Sequence, residues 1–411
     1  MKAFKLLAAL AAAIFILGHA SAQNGTMTPY SRFGYGMLRD NATAAQQAMG
    51  GVGYGMNSGR QINVMNPASY SRMDSLTFLF DMGVDLSMMW QREPSANGEL
   101  KDHQTGGGLN YITMQVPLAK RLGMSLGILP YSAVGYAFGN SIDNGYSNRQ
   151  GTGSINQAYI GLGYGLGPVA VGVNAAYVFG STLNDTYAIT SGGSTSLYED
   201  ELNVRDWRFD IGLQYTLTMG RDYWTLGAVY SPQKALHGHL HTYAYDVDAD
   251  SKQEDYSSSK LKDNFGIAAT YGLGLNYRHD YKWMVEADLT YQPWSKVKYQ
   301  GHKGSLNDRY KLAVGMQYQP ALRGSYLKHI QYRLGAFANR DYLVVRGNSV
   351  REYGISGGFG FPVPGFKSVV NLGFEWIHRQ AHPTPLIKEN YFNITLGINF
   401  NEAWFFKNAL Q

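Results

Sequence analysis

Cysteine is absent from the 411 residues, charged side chains make up only 16%, and no apolar run reaches the length of a membrane-spanning helix. Without thiols the chain forms no disulfide, thiolate zinc site, iron–sulfur cluster or cysteine nucleophile. A mean hydropathy of -0.26, with no apolar run of about 18 residues, excludes a polytopic helical membrane protein. The formal charge of +5 is small and scattered, which argues against nucleic acid as a partner. What the chain does hold is 49 glycines and 31 tyrosines. So many aromatic rings need burial or an interface, so a disordered chain is excluded as well.

The first residues read as a secretory signal. Lys2 and Lys5 precede an apolar stretch from Leu6 to Leu17, and Ala20-Ser21-Ala22 forms a small-x-small cleavage site. Leu6 to Leu17 is too short to cross about 30 Å of hydrocarbon. Residues 1–22 are therefore expected to be removed, which takes away Lys2 and Lys5 and lowers the formal charge from +5 to +3.

Beyond that point the hydrophobic period is two. Trp207, Phe209, Ile211, Leu213, Tyr215 and Leu217 alternate with Arg208, Asp210, Gly212, Gln214 and Thr216. The same alternation runs through Phe265 to Tyr277, Tyr310 to Tyr318 and Tyr391 to Phe400. Repeated along the chain it yields about fourteen strands between Leu76 and Phe400. Short links such as Leu118 to Lys120, Gly165 to Pro168 and Met219 to Asp222 alternate with longer polar segments, among them Arg92 to Gly108, Gly139 to Ser154, Ser181 to Arg205, Ser231 to Lys262, Asn339 to Ser349 and Arg379 to Asn390. An even strand count, aromatic strand ends and one short-looped rim point to an all-β transmembrane antiparallel barrel at residues 76–400, in the bacterial outer membrane. Arg208, Asp210, Glu286, Asp288, Lys311, Arg333 and Glu375 fall on the polar side of their strands. Arg or Lys facing lipid at the midplane would cost roughly 2–4 kcal/mol, so these side chains are expected to face the lumen.

Residues 23–75 do not alternate. They hold Gly50, Gly51, Gly53 and Gly55, a helix-compatible patch from Ala42 to Met49 behind a possible Asn41 cap, and the tripeptide Asn66-Pro67-Ala68. Such backbone cannot lie in lipid, so the segment belongs in the lumen or the periplasm. Pro67 lacks an N–H and keeps Asn66 out of the helical region, while the Asn side chain can bond nearby backbone, which suits a fixed turn in a buried plug.

An Asn-Pro-Ala signature ahead of the first of about fourteen strands resembles the FadL family of outer-membrane transporters for long-chain fatty acids and other hydrophobic compounds. The resemblance implies that residues 23–75 form a hatch plugging the barrel, with Asn66, Pro67 and Ala68 as its motif. It also implies lateral release of ligand into the membrane at an inward kink of the third strand. That strand, Arg121 to Phe138, carries Pro130 at its centre, followed by Tyr131 and Gly135. Proline removes a ladder hydrogen bond, so the wall is expected to be locally open there. A departure is the tail, 401–411, which follows Phe400 and contains Trp404, Phe405 and Phe406.

The remaining constellations are weaker. His237, His239 and His241, near Asp246, Asp248 and Asp250, could bind a metal ion but suit a solvated outer loop better, so no metal or other cofactor is expected. Gly51-Val52-Gly53 and Gly161-Leu162-Gly163 lack the strand–helix context of a nucleotide loop, and no Gly-x-Ser-x-Gly elbow occurs. No enzyme activity is expected. The expected function is passive uptake of hydrophobic small molecules with lateral exit near Pro130. The alternative is a non-enzymatic barrel subunit or shuttle in a larger outer-membrane protein secretion or assembly complex. In that case the partners, beyond membrane lipid, are proteins bound through the loops and the tail.

Overall fold

The computed structural model of the chain describes residues 28–95, 98–247, 254–364 and 367–403. The expected signal peptide, residues 1–22, and residues 404–411 of the tail lie outside the described residues. No helix among the described residues is long and apolar enough to cross a membrane. Fourteen antiparallel strands close into a barrel. They are β1 (Thr77–Ser95), β2 (Gly98–Ala119), β3 (Leu122–Ile142), β4 (Gly145–Leu166), β5 (Val169–Thr190), β6 (Thr195–Met219) and β7 (Asp222–Ser231). The second half comprises β8 (Thr270–His279), β9 (Trp283–Gln292), β10 (Arg309–Tyr318), β11 (Gln331–Val345), β12 (Asn348–Pro362), β13 (Val369–His382) and β14 (Lys388–Ala403). Closure is made by β1 on β14, paired from Thr77↔Ala403 to Arg92↔Lys388.

Alternation sorts the side chains across this wall. On β6 the lipid-side residues Trp207, Phe209, Ile211 and Leu213 are about half exposed, whereas Asp206, Asp210 and Gln214 are buried inside. The polar segments read as outer loops are largely strand instead. β4 and β5 pair without a break from Gly145↔Thr190 to Leu166↔Val169, and β6 runs for 25 residues. Above the membrane both faces of the sheet meet water, so the hydrophobic alternation that reports a strand disappears while Tyr, Thr and Ser keep the ladder going. Gly238–Asp246 and Glu254–Lys260 likewise form a hairpin on the upper half of β6, from Gly238↔Val204 to Asp246↔Ser196. Phe265 and Ile267, read as part of β8, are not in the wall. That strand starts at Thr270, and the two side chains are buried in a hydrophobic cluster with Tyr35, Trp294 and Tyr342.

Residues 28–76 precede β1, and their buried side chains pack against the inner wall. The segment contains α1 (Ala44–Gln47) and two 3-10 turns, Pro29–Arg32 and Pro67–Arg72. The cap of α1 is Thr43 rather than Asn41: Gln46 reaches back and its Oε1 accepts the Thr43 N–H at 2.9 Å. Asn41 instead accepts a bond from Gln157 on β4 at 2.6 Å.

Glycine in the wall makes room for this segment. Gly123, Gly163, Gly172 and Gly212 are directly paired across β3, β4, β5 and β6, and a Cβ at any of them would collide with Asn66, Pro67 or Tyr70. Farther round, the pair Gly227 and Gly274 faces Tyr54 and Gly55, and Gly315 and Gly335 face Met49. These glycines let the plug backbone rest on the strand backbone. Gly172→Val is expected to destabilise the folded barrel by about 1–3 kcal/mol through overpacking, whereas Gly108→Ala, whose Cβ would meet nothing within 4 Å, is expected to be neutral. Thermal unfolding in detergent measures both, and equal midpoints for the two variants would refute the tight seat.

Candidate functional site

The tripeptide Asn66-Pro67-Ala68 sits against the row of wall glycines. Asn66 is fully buried and caps the turn Pro67–Arg72, its Oδ1 accepting the Ala68 N–H at 3.1 Å. Its Nδ2 donates to the carbonyl of Tyr54 at 2.7 Å and to that of Leu213 on β6 at 3.2 Å. One side chain thereby ties two parts of the plug to each other and to the wall.

The inward carboxylates of β9 hold the glycine-rich run. Asp288 Oδ2 accepts the N–H groups of Gly53 and Tyr54 at 2.6 and 3.0 Å, and Glu286 Oε1 accepts those of Gly55 and Met56 at 2.7 and 3.1 Å. Two carboxylates spaced two residues apart on one strand face thus take four consecutive backbone donors, and glycine keeps that backbone within reach. Lys311 donates to Asp40 Oδ2 at 2.5 Å and Arg309 to Asp40 Oδ1 at 3.0 Å, adding an ionic latch between β10 and the plug. Burial pushes the Asp40 carboxyl up, but Lys311 and Arg309 outweigh it and hold the group well below the usual carboxylate range. The other inward charges bond within the wall. Arg208 pairs with Asp210 at 3.0 Å, Arg333 donates to Gln317, Gln331 and Asn371, and Glu375 accepts from Asn393 at 3.0 Å.

At Pro130 the wall changes course. β2 and β3 pair only from Ala119↔Leu122 to Ile112↔Ile128, although β2 continues beside β1 up to Gly98 and β3 beside β4 up to Ile142. A bulge lies between Pro130 and Ser132, and the next residues, Tyr131 to Tyr136, are all buried instead of alternating. The strand has bent into the lumen. Its edge is taken over by the plug: Met37 and Leu38 pair with Ala133 and Ser132, Arg39 N–H donates to Tyr131 O at 2.9 Å, and Thr28 N–H donates to Gly135 O at 2.7 Å. The facing edge of β2, residues 98–111, has no strand beside it among the described residues.

Two chambers adjoin the latch, of about 60 and about 150 Å³. The larger is lined by Asp40, Asp85, Lys311, Glu352, Glu375 and Arg379 among others, so both signs of charge surround it. Above it the cluster of Tyr35, Phe265, Trp294, Tyr342 and their neighbours packs the outer end of the lumen.

A family model named BamG matches residues 4–411. The chain belongs to the BamG family. Solved structures similar to it include a FadL homologue from Pseudomonas aeruginosa, with a TM-score of 0.63 at 13% identity, covering 89% of this chain and 99% of that one. The toluene transporter TodX of Pseudomonas putida aligns with a TM-score of 0.61 at 16% identity over 90% of this chain and 99% of its own. The toluene transporter TbuX of Ralstonia pickettii gives 0.58 at 14% over 88% and 98%. Identities this low establish a shared fold: this BamG-family chain is a FadL-like β-barrel of the bacterial outer membrane. No curated protein matches it in sequence.

His239 and His241 stack 5.9 Å apart on the hairpin strand Gly238–Asp246, not on a loop, and the His237 ring bonds Asp206. Asp248 and Asp250 lie outside the described residues. Among the described residues no three His, Cys, Asp or Glu side chains are disposed to hold a metal ion. Sequence reasoning missed Asp40, Arg309 and Arg379. Arg379 lies in a segment read as a loop yet it is a buried residue of β13, paired with Glu352 at 2.7 Å and Glu389 at 3.4 Å. Its alternation with Trp376 and His378 was the available signal.

Because the folded Asp40 carboxyl titrates below its unfolded value of about 3.9, its stabilisation is complete above that pH and is lost as pH falls through the lower folded value. Protection of the BamG-family plug from protease is expected to stay level from neutral pH to about pH 4 and to decline below it. Asp40→Asn is expected to cost about 1–3 kcal/mol at neutral pH by leaving Lys311 and Arg309 without their counter-charge. Identical melting of variant and parent at pH 7 would sink the latch.

Proposed function

We propose that this BamG-family barrel acts as a plugged, non-enzymatic subunit or shuttle in a larger outer-membrane protein secretion or assembly complex. One observation carries the reading: the lumen is occupied by protein. Carboxylates of β9, cations of β10 and the wall glycines all contact the plug. The chamber beside the latch, about 150 Å³ and lined by charges of both signs, is small and polar against the roughly 300–1,000 Å³ of typical ligand pockets, which are mostly apolar.

A second reading, passive uptake of hydrophobic compounds such as long-chain fatty acids with lateral exit, is favoured by the interrupted ladder between β2 and β3 at Pro130. It requires the plug strand Met37–Leu38 to leave β3. The two readings part in one pair of measurements on the full chain in its native membrane. On the subunit reading, affinity capture recovers a stoichiometric protein partner, and a strain lacking the barrel takes up labelled toluene and oleate at the parental rate. Uptake that falls severalfold without the barrel, is lost again in Pro130→Val, and has no co-purifying partner would overturn the subunit reading in favour of the conduit.

A further inference from the structure

The rim with short turns encloses a cavity of about 700 Å³ beneath the plug, much larger than the chambers beside the latch. Its roof is the plug segment Met56 to Gln61, and its walls come from β7 to β13 and their turns. Two features define its chemistry. Asn57, Gln61, Asn276, Gln317, Gln319 and Gln331 line it with amides; Asn57, Asn276 and Gln319 already donate to Thr216, Glu286 and the His329 carbonyl, and Gln317 and Gln331 accept from Arg333, which leaves each amide further hydrogen-bonding capacity. The cations Arg278 and Lys367 also line it, with Arg60 already paired to Asp74 at 3.4 Å. The Arg278 guanidinium lies 4.5 Å over the Tyr223 ring. Its Nε and the Nε2 of His329 are buried and hydrogen-bonded to nothing among the described residues, so a guanidinium N–H and an imidazole nitrogen stand next to the cavity without partners.

Charge around this rim is mostly positive. Lys120, Arg121, Arg221, Lys282, Arg323 and Lys328 all lie on the turns or turn-side helix of this rim. Carboxylates share the rim: Asp222 is occupied by Tyr277 and His279 at 2.8 and 2.7 Å, Asp74 pairs with Arg60, and Asp280 also lines the cavity. An excess of cations over a concave, low-dielectric opening attracts and orients an anionic partner.

We propose that this periplasmic vestibule binds an extended, acidic polypeptide segment of a periplasmic protein. The amides match the donors and acceptors of a peptide backbone, and the cations match carboxylates along it. A lipid acyl chain would satisfy neither. This rests on the subunit reading and names the chemistry of its partner.

The test uses the full-length barrel in detergent and a fluorescein-labelled decapeptide of alternating Glu and Ser, followed by anisotropy. Binding is expected to saturate, to weaken at least tenfold in the double variant R278E/K367E, and to weaken as salt rises. An alternating Lys and Ser peptide is expected not to bind. Melting of the variant within a degree or two of the parent shows that it is folded; a variant that melts early is replaced by R278Q/K367Q, for which a smaller loss of the same sign is expected. Absence of saturable binding, affinity unchanged by the substitutions, or full displacement by phosphatidylglycerol nanodiscs at equal anionic charge would overturn the proposal. The subunit reading is tested apart from this. A protein partner captured equally well by the parent and R278E/K367E would leave that reading standing and remove the vestibule.

Discussion

The backbone of the plug must find hydrogen-bond partners inside a barrel whose outer face is in lipid, and the rest of the interior is arranged around that requirement. A non-repetitive segment cannot satisfy its own N–H and C=O groups as a helix or ladder does. Here the wall supplies what is lacking. Asp288 and Glu286 take four consecutive donors from Gly53 to Met56, Asn66 and Gln214 take up carbonyls of Tyr54 and Met56, and Asn63 bonds Gly53 and Met56 from within the plug. Glycine serves this arrangement on both partners: in the plug it lets the chain approach the carboxylates, and in the wall it clears the space through which the chain runs.

The same requirement explains the diverted third strand. Once Pro130 ends the pairing of β3 with β2, the residues beyond it need another edge, and the plug provides one at Tyr131 to Gly135. The break in the wall and the presence of the plug are therefore coupled: displacing Met37 and Leu38 would strip a strand edge of its partners. A FadL-like fold with an interrupted wall is in this way compatible with a closed lumen.

Buried charge follows a related economy. Asp40 meets two cations, Arg379 meets two carboxylates, and Arg208 meets Asp210. Isolated charges of this kind would be costly in a dry interior. Paired across the boundary between plug and wall, the Asp40 cluster also gives the contact a defined register, which hydrophobic packing alone leaves looser.

Much of the barrel was legible because its two environments alternate with the strand. Trp207 to Leu217 and Tyr310 to Tyr318 read directly as one lipid face and one inner face. Where the environments do not alternate, the pattern fell silent. The upper parts of β4 and β5 have water near both faces and read as loops, while Phe265 and Ile267 kept the alternation although they lie inside the outer cluster. Asn66-Pro67-Ala68 pointed to a fixed turn, and the inward charges of β6, β9 and β10 were visible from parity alone. Their partners were not. Nothing local in Asp40, Gly53 or Gly172 reveals that they meet Lys311, Asp288 and Pro67. The sequence by itself determined the strand period, the side of each spanning residue and the presence of a non-strand segment ahead of the barrel, because these depend on one residue and its near neighbours. Only the tertiary structure decided how the plug is fastened to the inner wall, that Pro130 hands its strand edge to the plug and that cations gather beneath it, because each of these depends on groups hundreds of residues apart that closure of the barrel brings together.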